Sequence, residues 1–430
     1  MIIDELYQAL KNSSGVSTDS RQIKKGELFF ALKGANFNGN VHAAEALARG
    51  AYRAVIDDMS YHIKGKTIVV EDTLLALQQL SQHHRRQFEI PVIAITGSNG
   101  KTTSKELTQR VLSKKYNTLA TFGNLNNHIG VPLTLLRINS ETGIAVIEMG
   151  ANHQGEIALL CDIAAPTHGL ISSIGKAHLE GFGGFEGVKK GKGELYDYLL
   201  KNGGTIFLNS TTPYLLEMLN SREGNIIKYG DPGSELTGEI MADQPFVKGK
   251  VNVKNEPVEV GSNLIGGYNF QNILNAFAVG LYFNVPVDQI KAAIESYLPD
   301  NNRSQILQAN GYQVILDAYN ANPSSLSMVL GYFSSRPESK KVAIIGDMFE
   351  LGTESGREHQ SIVDQLQHSN IDTVVLVGPA FCTTSHPGKF LAFKTTEEAY
   401  LWWKDFDKQG SIVLIKGSRG MQLEKLAAAD

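Results

Sequence analysis

One segment organises the rest of this chain: Val92-Ile93-Ala94-Ile95-Thr96-Gly97-Ser98-Asn99-Gly100-Lys101-Thr102-Thr103. Residues 92–96 have the composition of a buried strand, and a helix is predicted from Lys101 onward. The glycines between them let backbone N–H groups turn inward around phosphate oxygens, and the helix N-terminus adds partial positive charge. The segment therefore predicts a phosphate-binding loop at the end of a strand.

The polar residues of this loop have separate expected roles. Lys101 is expected to reach the β- and γ-phosphates of a nucleotide, and the Thr102 hydroxyl is expected to ligate Mg²⁺. The usual motif has a glycine where this chain has Ile95, so the loop is a shortened form. A glycine-rich turn that happens to carry a lysine is the alternative, and the strand-turn-helix context argues against it. The expected nucleotide contacts are Gly97, Ser98, Asn99, Gly100, Lys101, Thr102 and Thr103.

Composition and charge narrow the class of protein. The 430 residues carry 40 basic and 44 acidic side chains, a formal net charge of −4, and are 42% hydrophobic. These values are typical of a globular protein and give no reason to expect a nucleic acid as partner. Cys161 and Cys382 are too few for a disulfide framework or a zinc site. An anionic substrate must therefore be held by local donors.

The chain shows no sign of a membrane segment. No apolar run approaches the ~20 residues needed to span a bilayer. The N-terminal residues 1–6 lack the basic and apolar regions of a secretory signal. We therefore expect no membrane insertion and a cytoplasmic location.

Alternating strand and helix patterns divide the chain into three α/β units, with expected bounds 1–88, 89–300 and 301–430. The short stretch 88–91 ends in a proline and predicts an extended linker between the first two units. Strand patterns lie at 27–32, 54–56, 67–70, 92–96, 144–147, 169–174, 313–316, 342–345, 373–377 and 412–415, and helix patterns at 43–49, 73–86 and from 101. The middle and third units are expected to have mostly parallel sheets, with an antiparallel excursion at 225–262. The third unit resembles a doubly wound, Rossmann-like nucleotide-binding fold.

Two further strand ends carry groups that bind metal ions. Glu148 follows the strand pattern at 144–147, and His178 follows the one that ends at Ile174. A carboxylate and an imidazole at the same sheet edge as the phosphate loop could hold one or two Mg²⁺ ions beside the triphosphate. Each residue alone is more often merely solvated, and it is their convergence with the loop that favours a site.

Two segments are ambiguous when judged from their residues alone. Lys192 lies in a run of Lys, Gly and Glu that physical reasoning favours as a solvated helix start. Asn126 and Asn127 lie in a loop that could present amides to a substrate or metal, or could simply be a turn.

Several longer motifs resemble those of the Mur ligase family, and the resemblance covers essentially the whole chain. These motifs are Asn126-Asn127-His128-Ile129-Gly130-Val131-Pro132-Leu133-Thr134, Glu148-Met149-Gly150-Ala151-Asn152-His153, Ala177-His178-Leu179-Glu180-Gly181-Phe182-Gly183, Asp317-Ala318-Tyr319-Asn320-Ala321-Asn322-Pro323, Gly346-Asp347-Met348-Phe349-Glu350-Leu351-Gly352 and Lys416-Gly417-Ser418-Arg419. The Tyr-Asn-Ala-Asn-Pro string is similar to that of members that join D-alanyl-D-alanine to UDP-N-acetylmuramoyl-tripeptide. The resemblance implies a small UDP-sugar-binding domain, a central P-loop ATPase domain and a C-terminal Rossmann-like domain.

The resemblance also implies roles for individual residues. Lys101, Glu148, His178 and Lys192 correspond to the catalytic machinery, in which Thr102, Glu148, His178 and Lys192 hold two Mg²⁺ ions. Lys192 matches a lysine that CO₂ converts to a carbamate, which reverses the solvated interpretation. The resemblance implies ATP contacts for Asn269, Asn272, Arg303 and Asp317, the first two at the adenine, and UDP-sugar contacts for Ser17, Asp19, Ser20, Arg21 and Lys33, where the serines and the aspartate could otherwise form a plain helix cap or turn. Asn126 and Asn127 are candidate substrate contacts in the loop described above. Asn320 and Asn322 are expected to contact the incoming dipeptide, and the alternative is that they only shape the turn before Pro323. Asn38-Gly39-Asn40 departs from the family pattern, in which an acidic or polar residue and then Gly-His are expected at this place.

The implied reaction is ATP-dependent formation of an amide bond through an acyl-phosphate, in peptidoglycan precursor synthesis. The alternatives are another amino-acid ligase of the superfamily and a non-catalytic P-loop protein that only binds nucleotide. The presence of Lys101, Glu148, His178 and Lys192 together argues against the second alternative. We expect a monomer, and hinge motion near 88–91 and 298–303 as the domains close over the substrates.

Overall fold

The computed structural model describes residues 2–299 and 303–427. The first unit contains α1 (Ile2–Lys11), β1 (Val16–Ser17), β2 (Leu28–Phe30), β3 (Lys33–Gly34), β4 (Phe37–Asn38), α2 (Ala43–Ala48), β5 (Arg53–Ile56), β6 (Thr67–Val69) and α3 (Thr73–Arg85). Its parallel sheet has the strand order β1-β2-β5-β6, and β3 and β4 form a separate antiparallel ribbon. Asp72 begins α3, because its carboxylate accepts a hydrogen bond from the Leu75 N–H at 2.8 Å.

A buried polar network secures the first unit next to β4. Asn40 is 0% exposed, and its Nδ2 donates to Asn38 Oδ1 and to Asp57 Oδ1, each at 2.8 Å. Its Oδ1 accepts from the Asp57 backbone N–H at 3.1 Å. Lys33 pairs with the same carboxylate at 2.8 Å. Burial acts to raise the pKa of Asp57, but hydrogen bonds from Lys33 and Asn40 outweigh it and hold that pKa below its ordinary value. The departure at Asn38-Gly39-Asn40 is therefore part of the architecture of this unit.

Replacing Asn40 by alanine is expected to destabilise the first unit by about 2–3 kcal/mol, because buried donors and acceptors lose their partners. Urea unfolding followed by amide hydrogen exchange of residues 28–70 measures this change within the first unit. Asn36→Ala, at an exposed position of the same loop, is the matched control. Equal stability of the two variants would contradict the prediction.

The central unit contains β7 (Val92–Thr96), α4 (Lys101–Leu112), β8 (Thr118–Ala120), α5 (Gly130–Leu135), β9 (Ile144–Glu148), α6 (Glu156–Ala164), β10 (His168–Ile171), α7 (Leu179–Phe182), α8 (Phe185–Lys201), β11 (Thr205–Asn209), α9 (Leu215–Leu219), β12 (Asn225–Tyr229), β13 (Leu236–Ala242), β14 (Lys248–Val253), β15 (Glu256–Gly261), α10 (Phe270–Tyr282) and α11 (Val287–Glu295). Its main sheet is parallel, in the order β12-β11-β10-β7-β9-β8. β7 and β9 are buried along their whole length because helices cover both faces of the sheet.

The predicted antiparallel excursion is confirmed for β13-β14-β15 and is wrong at its start. Residues 225–229 form β12, which pairs in parallel with β11. β12 is an edge strand with three exposed positions, so its mixed polar sequence looks like that of a solvated antiparallel strand.

The third unit contains β16 (Gln305–Ala309), β17 (Tyr312–Asp317), α12 (Pro323–Ser335), β18 (Lys341–Gly346), α13 (Ser355–Gln367), β19 (Thr373–Val377), α14 (Pro379–Cys382), β20 (Leu391–Phe393), α15 (Thr396–Asp405), β21 (Ile412–Lys416) and α16 (Glu424–Ala427). The sheet order is β16-β17-β21-β18-β19-β20, and β16 is antiparallel to β17 while the other pairs are parallel. The predicted α/β class and Rossmann-like third unit are confirmed, and β16 and β20 are additional strands.

Short 3-10 turns complete the description, at Ser20–Gln22, Gly39–His42, Met59–Tyr61, Gly267–Asn269, Gly352–Glu354 and Arg419–Met421. Among the described residues, none of the helices combines the length and the apolar composition that crossing a membrane requires.

Candidate active site

A cavity of about 760 Å³ lies between the central and third units. It is lined by the phosphate loop, by the segments that follow β9 and β10, by the start of α10 and by the segments next to β17 and β21. The predicted site residues that line it are Ser98, Asn99, Gly100, Lys101, Thr103, Asn126, Asn127, Glu148, His178, Asn269, Asn272, Arg303, Asp317, Asn320 and Asn322. The strand-end argument expected the phosphate loop, Glu148 and His178 to converge, and all three line this cavity. Residues of the third unit, more than 200 positions from the loop in the sequence, line it as well.

The phosphate loop is fixed to the segment that follows the neighbouring strand β10. Ser98 N–H donates to Ser173 O at 2.8 Å, and Asn99 N–H donates to Ser173 Oγ at 2.9 Å. Gly97 has φ of 144°, and a Cβ there would overlap the Ser172 hydroxyl. Glycine is thus required by both conformation and space, and the bonds to Ser173 fix the position of the loop.

Lys101 lies at the start of α4 and folds back onto its own loop. Its Nζ donates to Gly97 O at 2.7 Å and to Ser98 O at 3.2 Å. Burial lowers the pKa of Lys101 to about 8, with the Glu148 carboxylate opposing the shift and the Arg303 guanidinium adding to it. A phosphate entering the loop would offer this ammonium group stronger, charged acceptors than the two carbonyls.

Glu148, at the end of β9, has a carboxylate oxygen without a partner. Its Oε1 accepts from Asn126 Nδ2 at 2.7 Å and from Thr102 Oγ1 at 3.2 Å. Its Oε2 is buried and makes no hydrogen bond. A buried, unpartnered carboxylate oxygen beside a threonine hydroxyl fits a divalent cation.

The described residues contain no group of three or more His, Cys, Asp or Glu side chains that could hold a metal ion on their own. Mg²⁺ commonly takes only one or two protein ligands and completes its shell with water and substrate phosphates. Glu148 and Thr102 therefore fit an ion that the nucleotide helps to hold.

His178 bridges the central and third units. It lies at φ of 52°, directly before α7, and its Nδ1 is in close contact with Glu350 Oε2. The hydrogen bond with His178 lowers the pKa of Glu350. The Glu180 N–H donates to Glu350 O at 3.2 Å. Glu350 of the third unit therefore contacts the central unit through both its side chain and its backbone. The role of His178 as a metal ligand stays a prediction.

Lys192 is buried within α8, which corrects the physical expectation of a solvated helix start. It is 1% exposed, and its Nζ donates to Ala151 O at 3.0 Å and lies 4.9 Å from the centre of the Phe182 ring. Gly191 allows this packing, because a Cβ there would overlap the Phe182 ring. Burial, together with the charge of Lys101, lowers the pKa of Lys192 well below its ordinary value. An uncharged amine is the form that reacts with CO₂.

The residues predicted to contact adenine are part of a buried hydrogen-bond chain between α10 and α4. Asn272 Nδ2 donates to Asn269 Oδ1 at 2.8 Å, and Asn272 Oδ1 accepts from Ser104 Oγ at 2.9 Å. Asn275 Nδ2 donates to the same serine hydroxyl at 3.1 Å. This chain fixes the position of α10 relative to the helix that follows the phosphate loop.

In the third unit, several charged side chains lie close to Tyr319 and to the end of β17. The Arg303 guanidinium lies 3.8 Å from the centre of its ring, and the Arg419 guanidinium lies 5.5 Å from it. Asp317 Oδ2 accepts from Lys416 Nζ at 2.6 Å, and the same ammonium group donates to Asn320 O at 3.1 Å. Lys416 was not among the predicted site residues, although its place at the end of a buried parallel strand was a usable signal.

Asn322 does two things at once. It caps α12, because its Oδ1 accepts from the Ser325 N–H at 2.9 Å. This is the turn-shaping role that was the alternative to a substrate contact. Its Nδ2 also donates to Asn99 Oδ1 in the phosphate loop at 2.8 Å. Asn320 Oδ1 accepts from the adjacent Ala321 N–H at 2.9 Å. The loop before α12 therefore lies directly against the phosphate loop.

The predicted site residues of the first unit lie away from this cavity. Asp19 begins the turn at Ser20–Gln22 and accepts from the Arg21 side chain at 2.9 Å, and these hydrogen bonds lower the pKa of Asp19 to about 2. Ser17 Oγ accepts from the Asp19 N–H at 3.2 Å. The remaining predicted residues that do not line the cavity are Ser20, Lys33, Gly97, Thr102 and Lys192. Substrate contacts in the first unit stay predictions.

A shortened phosphate loop, a carboxylate on the adjacent strand and a second α/β unit closing over both define a nucleotide-binding P-loop protein with a cavity large enough for further substrates. The sequence pattern of the Mur ligase family catalytic domain matches residues 12–85, that of the Mur ligase middle domain matches 95–280, and that of the Mur ligase glutamate ligase domain matches 302–419. The chain belongs to the Mur ligase family.

Individual relatives match over nearly their full length. The chain is 36% identical to the UDP-N-acetylmuramoyl-tripeptide–D-alanyl-D-alanine ligase of Escherichia coli, covering 99% of this chain and 95% of that protein. The ligase of the same name from Bacillus subtilis is 32% identical, with 96% and 92% covered. The crystal structure of MurF from Acinetobacter baumannii superposes with a TM-score of 0.87 at 31% identity, covering 99% and 97%. MurF ligase from Thermotoga maritima, solved in complex with ADP, gives a TM-score of 0.84 at 26% identity, covering 98% and 97%.

Proposed function

We propose that the protein joins D-alanyl-D-alanine to UDP-N-acetylmuramoyl-tripeptide in an ATP-dependent reaction of peptidoglycan precursor synthesis. The observation that carries this proposal is the meeting, in one cavity, of the phosphate loop, the half-satisfied Glu148 carboxylate and the Asn320–Asn322 loop of the third unit. The full-length likeness to relatives that carry this name supports the choice of substrates.

The reaction has two nucleophilic steps. The terminal carboxylate of the tripeptide attacks the γ-phosphorus of ATP, which gives an acyl-phosphate and ADP. The amine of D-alanyl-D-alanine then attacks the acyl carbon, phosphate leaves, and the amine loses a proton as the amide forms. Lys101 and the backbone N–H groups at the start of α4 hold the phosphates in both steps, so the protein contributes mainly charge neutralisation and alignment.

Glu148 and Thr102 would hold a Mg²⁺ ion at the phosphates, and the ion would supply positive charge where negative charge is transferred. We propose that Lys192 adds CO₂ through its neutral amine, losing a proton to give a carbamate, and that this anion and His178 complete a second Mg²⁺ site. The hydrogen bond from Lys192 Nζ to Ala151 O supports this assignment, because Ala151 lies in the segment directly after Glu148. To bind this ion, the His178 imidazole would have to give up its contact with the Glu350 carboxylate.

We assign the remaining contacts as follows. Asn269, Asn272, Arg303 and Asp317 surround the nucleotide, and Asn320 and Asn322 meet the incoming dipeptide. The UDP-sugar contacts belong to Ser17, Asp19, Ser20, Arg21 and Lys33, and Asn126 and Asn127 meet the substrate in the cavity. The proposed domain bounds are 1–88, 89–300 and 301–430. The protein works as a monomer. Its proposed location is the cytoplasm, where ATP and the nucleotide precursor are available.

Phosphate release from ATP tests the reaction directly. With Mg²⁺ and UDP-N-acetylmuramoyl-tripeptide, release is expected only when D-alanyl-D-alanine is added, and mass spectrometry is expected to show a product that is one dipeptide heavier. Single amino acids as acceptors are the control. Release driven by a single amino acid would move the protein to another ligase of the family, and no release with any acceptor would contradict a ligase function.

A further inference from the structure

The segment that follows β10 makes a second connection between the central and third units. Lys176 N–H donates to Ser324 Oγ, at the start of α12, at 2.8 Å. Lys176 Nζ pairs with Glu358 Oε1, on α13, at 2.5 Å. Both partners belong to the third unit, so one residue of the central unit is held by its backbone and by its side chain.

The two side chains of this ion pair are buried to different extents. The Glu358 side chain is 5% exposed, whereas that of Lys176 is 45% exposed. Within residues 2–299 and 303–427, no second cation makes an ion pair with Glu358. A buried carboxylate is costly unless a cation or hydrogen-bond donors compensate it, and here Lys176 supplies that compensation from another domain.

The same segment is attached to the phosphate loop. The Gly175 N–H donates to Ser98 Oγ at 3.0 Å, and the Ser98 hydroxyl is 3.0 Å from Gly175 O. A Cβ on Gly175 would approach Ser324 Oγ to 2.7 Å, so the three segments are in close contact. The phosphate loop, the residues after β10 and the start of α12 therefore form one continuous contact across the domain boundary.

We infer that Lys176 and Glu358 are positioning residues that hold the third unit closed over the phosphate loop. The inference rests on the proposed function, because closure matters to a reaction in which the third unit brings Asn320 and Asn322 to the acceptor. Without Lys176, closing the domains leaves the Glu358 carboxylate buried and unpaired, so the open arrangement gains population. Without the Glu358 charge, Lys176 stays largely solvated and closure is hardly opposed.

This asymmetry gives a test that a merely structural pair would not pass. Lys176→Met is expected to lower kcat/KM for D-alanyl-D-alanine by about ten- to a hundredfold, because it leaves a buried charge unpaired in the closed state. Glu358→Gln is expected to lower it by less than about threefold, since an amide oxygen can still accept from Lys176. The double variant K176M/E358Q is expected to recover most of the loss of K176M. Arg357→Met, which removes the adjacent exposed cation on the same helix, is the matched control and is expected to behave as wild type.

Small-angle X-ray scattering with saturating MgADP gives a readout that does not depend on turnover. K176M is expected to show a larger radius of gyration than wild type, and the double variant is expected to return towards the wild-type value. Activity of K176M equal to that of R357M, or a double variant as impaired as K176M, would overturn the inference. If wild type makes no dipeptide-linked product, the proposed function fails, and the scattering comparison still decides the positioning role. Thermal unfolding of each variant separates misfolding from altered closure.

Discussion

Replacing Lys101 by methionine is expected to lower the rate of dipeptide-dependent phosphate release by roughly 10²–10³-fold, the loss seen when one preorganised donor to a developing charge is removed. The ammonium group lies on Gly97 O and Ser98 O, within the phosphate loop that lines the cavity. Methionine has a similar length but cannot donate a hydrogen bond or carry charge. The phosphates would then lie in a loop that still fits them but no longer neutralises them.

Steady-state phosphate release at saturating MgATP, tripeptide precursor and dipeptide measures this effect. Lys114→Met, on the exposed segment after α4, is the matched control and is expected to keep the wild-type rate. Circular dichroism of K101M should match wild type, because the loop is also held by its bonds to Ser173. A K101M rate within about threefold of wild type would remove Lys101 from the catalytic machinery.

The parts of the site that sequence reasoning located are those coded by local patterns. The strand at 92–96, the glycines after it and the lysine at the start of a helix occur in ten consecutive residues, and each has a conformational reason to be there. Glu148 was found because a buried parallel strand fixes where its last residue points. Parallel strands end at a common edge, so two such local patterns were enough to predict that their side chains share a cavity.

What sequence reasoning could not supply depends on tertiary packing. Lys192 looks solvated in its local sequence, and it is buried only because Gly191 lets α8 approach the Phe182 ring. The contact of His178 with Glu350 joins residues 172 positions apart, and the pair of Lys176 and Glu358 joins residues 182 positions apart. No periodicity or propensity encodes such distances. They follow from how the third unit rests on the central one.

The first unit shows a different limit. Asn38-Gly39-Asn40 departs from the family pattern, and its residues were therefore considered for their effect on uridine binding. In the structure Asn40 is fully buried and bonded to Asp57, so selection for folding can account for it. A polar residue in a loop gives no sign from sequence alone whether it faces a ligand or the interior.

Replacing Lys192 by alanine is expected to have the second large effect, a loss of activity of about a hundredfold or more, as expected when a group that orients a metal ion is removed. The proposed role is consistent with the burial of Lys192, with its bond to Ala151 O and with the proximity of Lys101, which disfavours a second positive charge. A protonated Lys192 would be repelled by the positive charge of Lys101. A carbamate on Lys192 would instead place a negative charge near Lys101. The variant leaves a space beside Ala151 that a small carboxylate can enter.

Acetate is therefore expected to restore part of the activity of K192A and to leave wild type and K101M unchanged. A readout independent of activity is the ¹³C NMR spectrum after incubation with ¹³C-bicarbonate, in which a carbamate signal is expected for wild type and not for K192A. Lys190→Ala, at an exposed position two residues earlier on the same helix, controls for the general loss of a lysine and should retain the signal. If K192A keeps full activity, or if wild type gives no carbamate signal while remaining active, then Lys192 acts only as a buried helix residue. In that case Glu148 is the carboxylate that opposes the charge of Lys101, and its unpartnered Oε2, together with the Thr102 hydroxyl, would hold the metal without a second anionic group from α8.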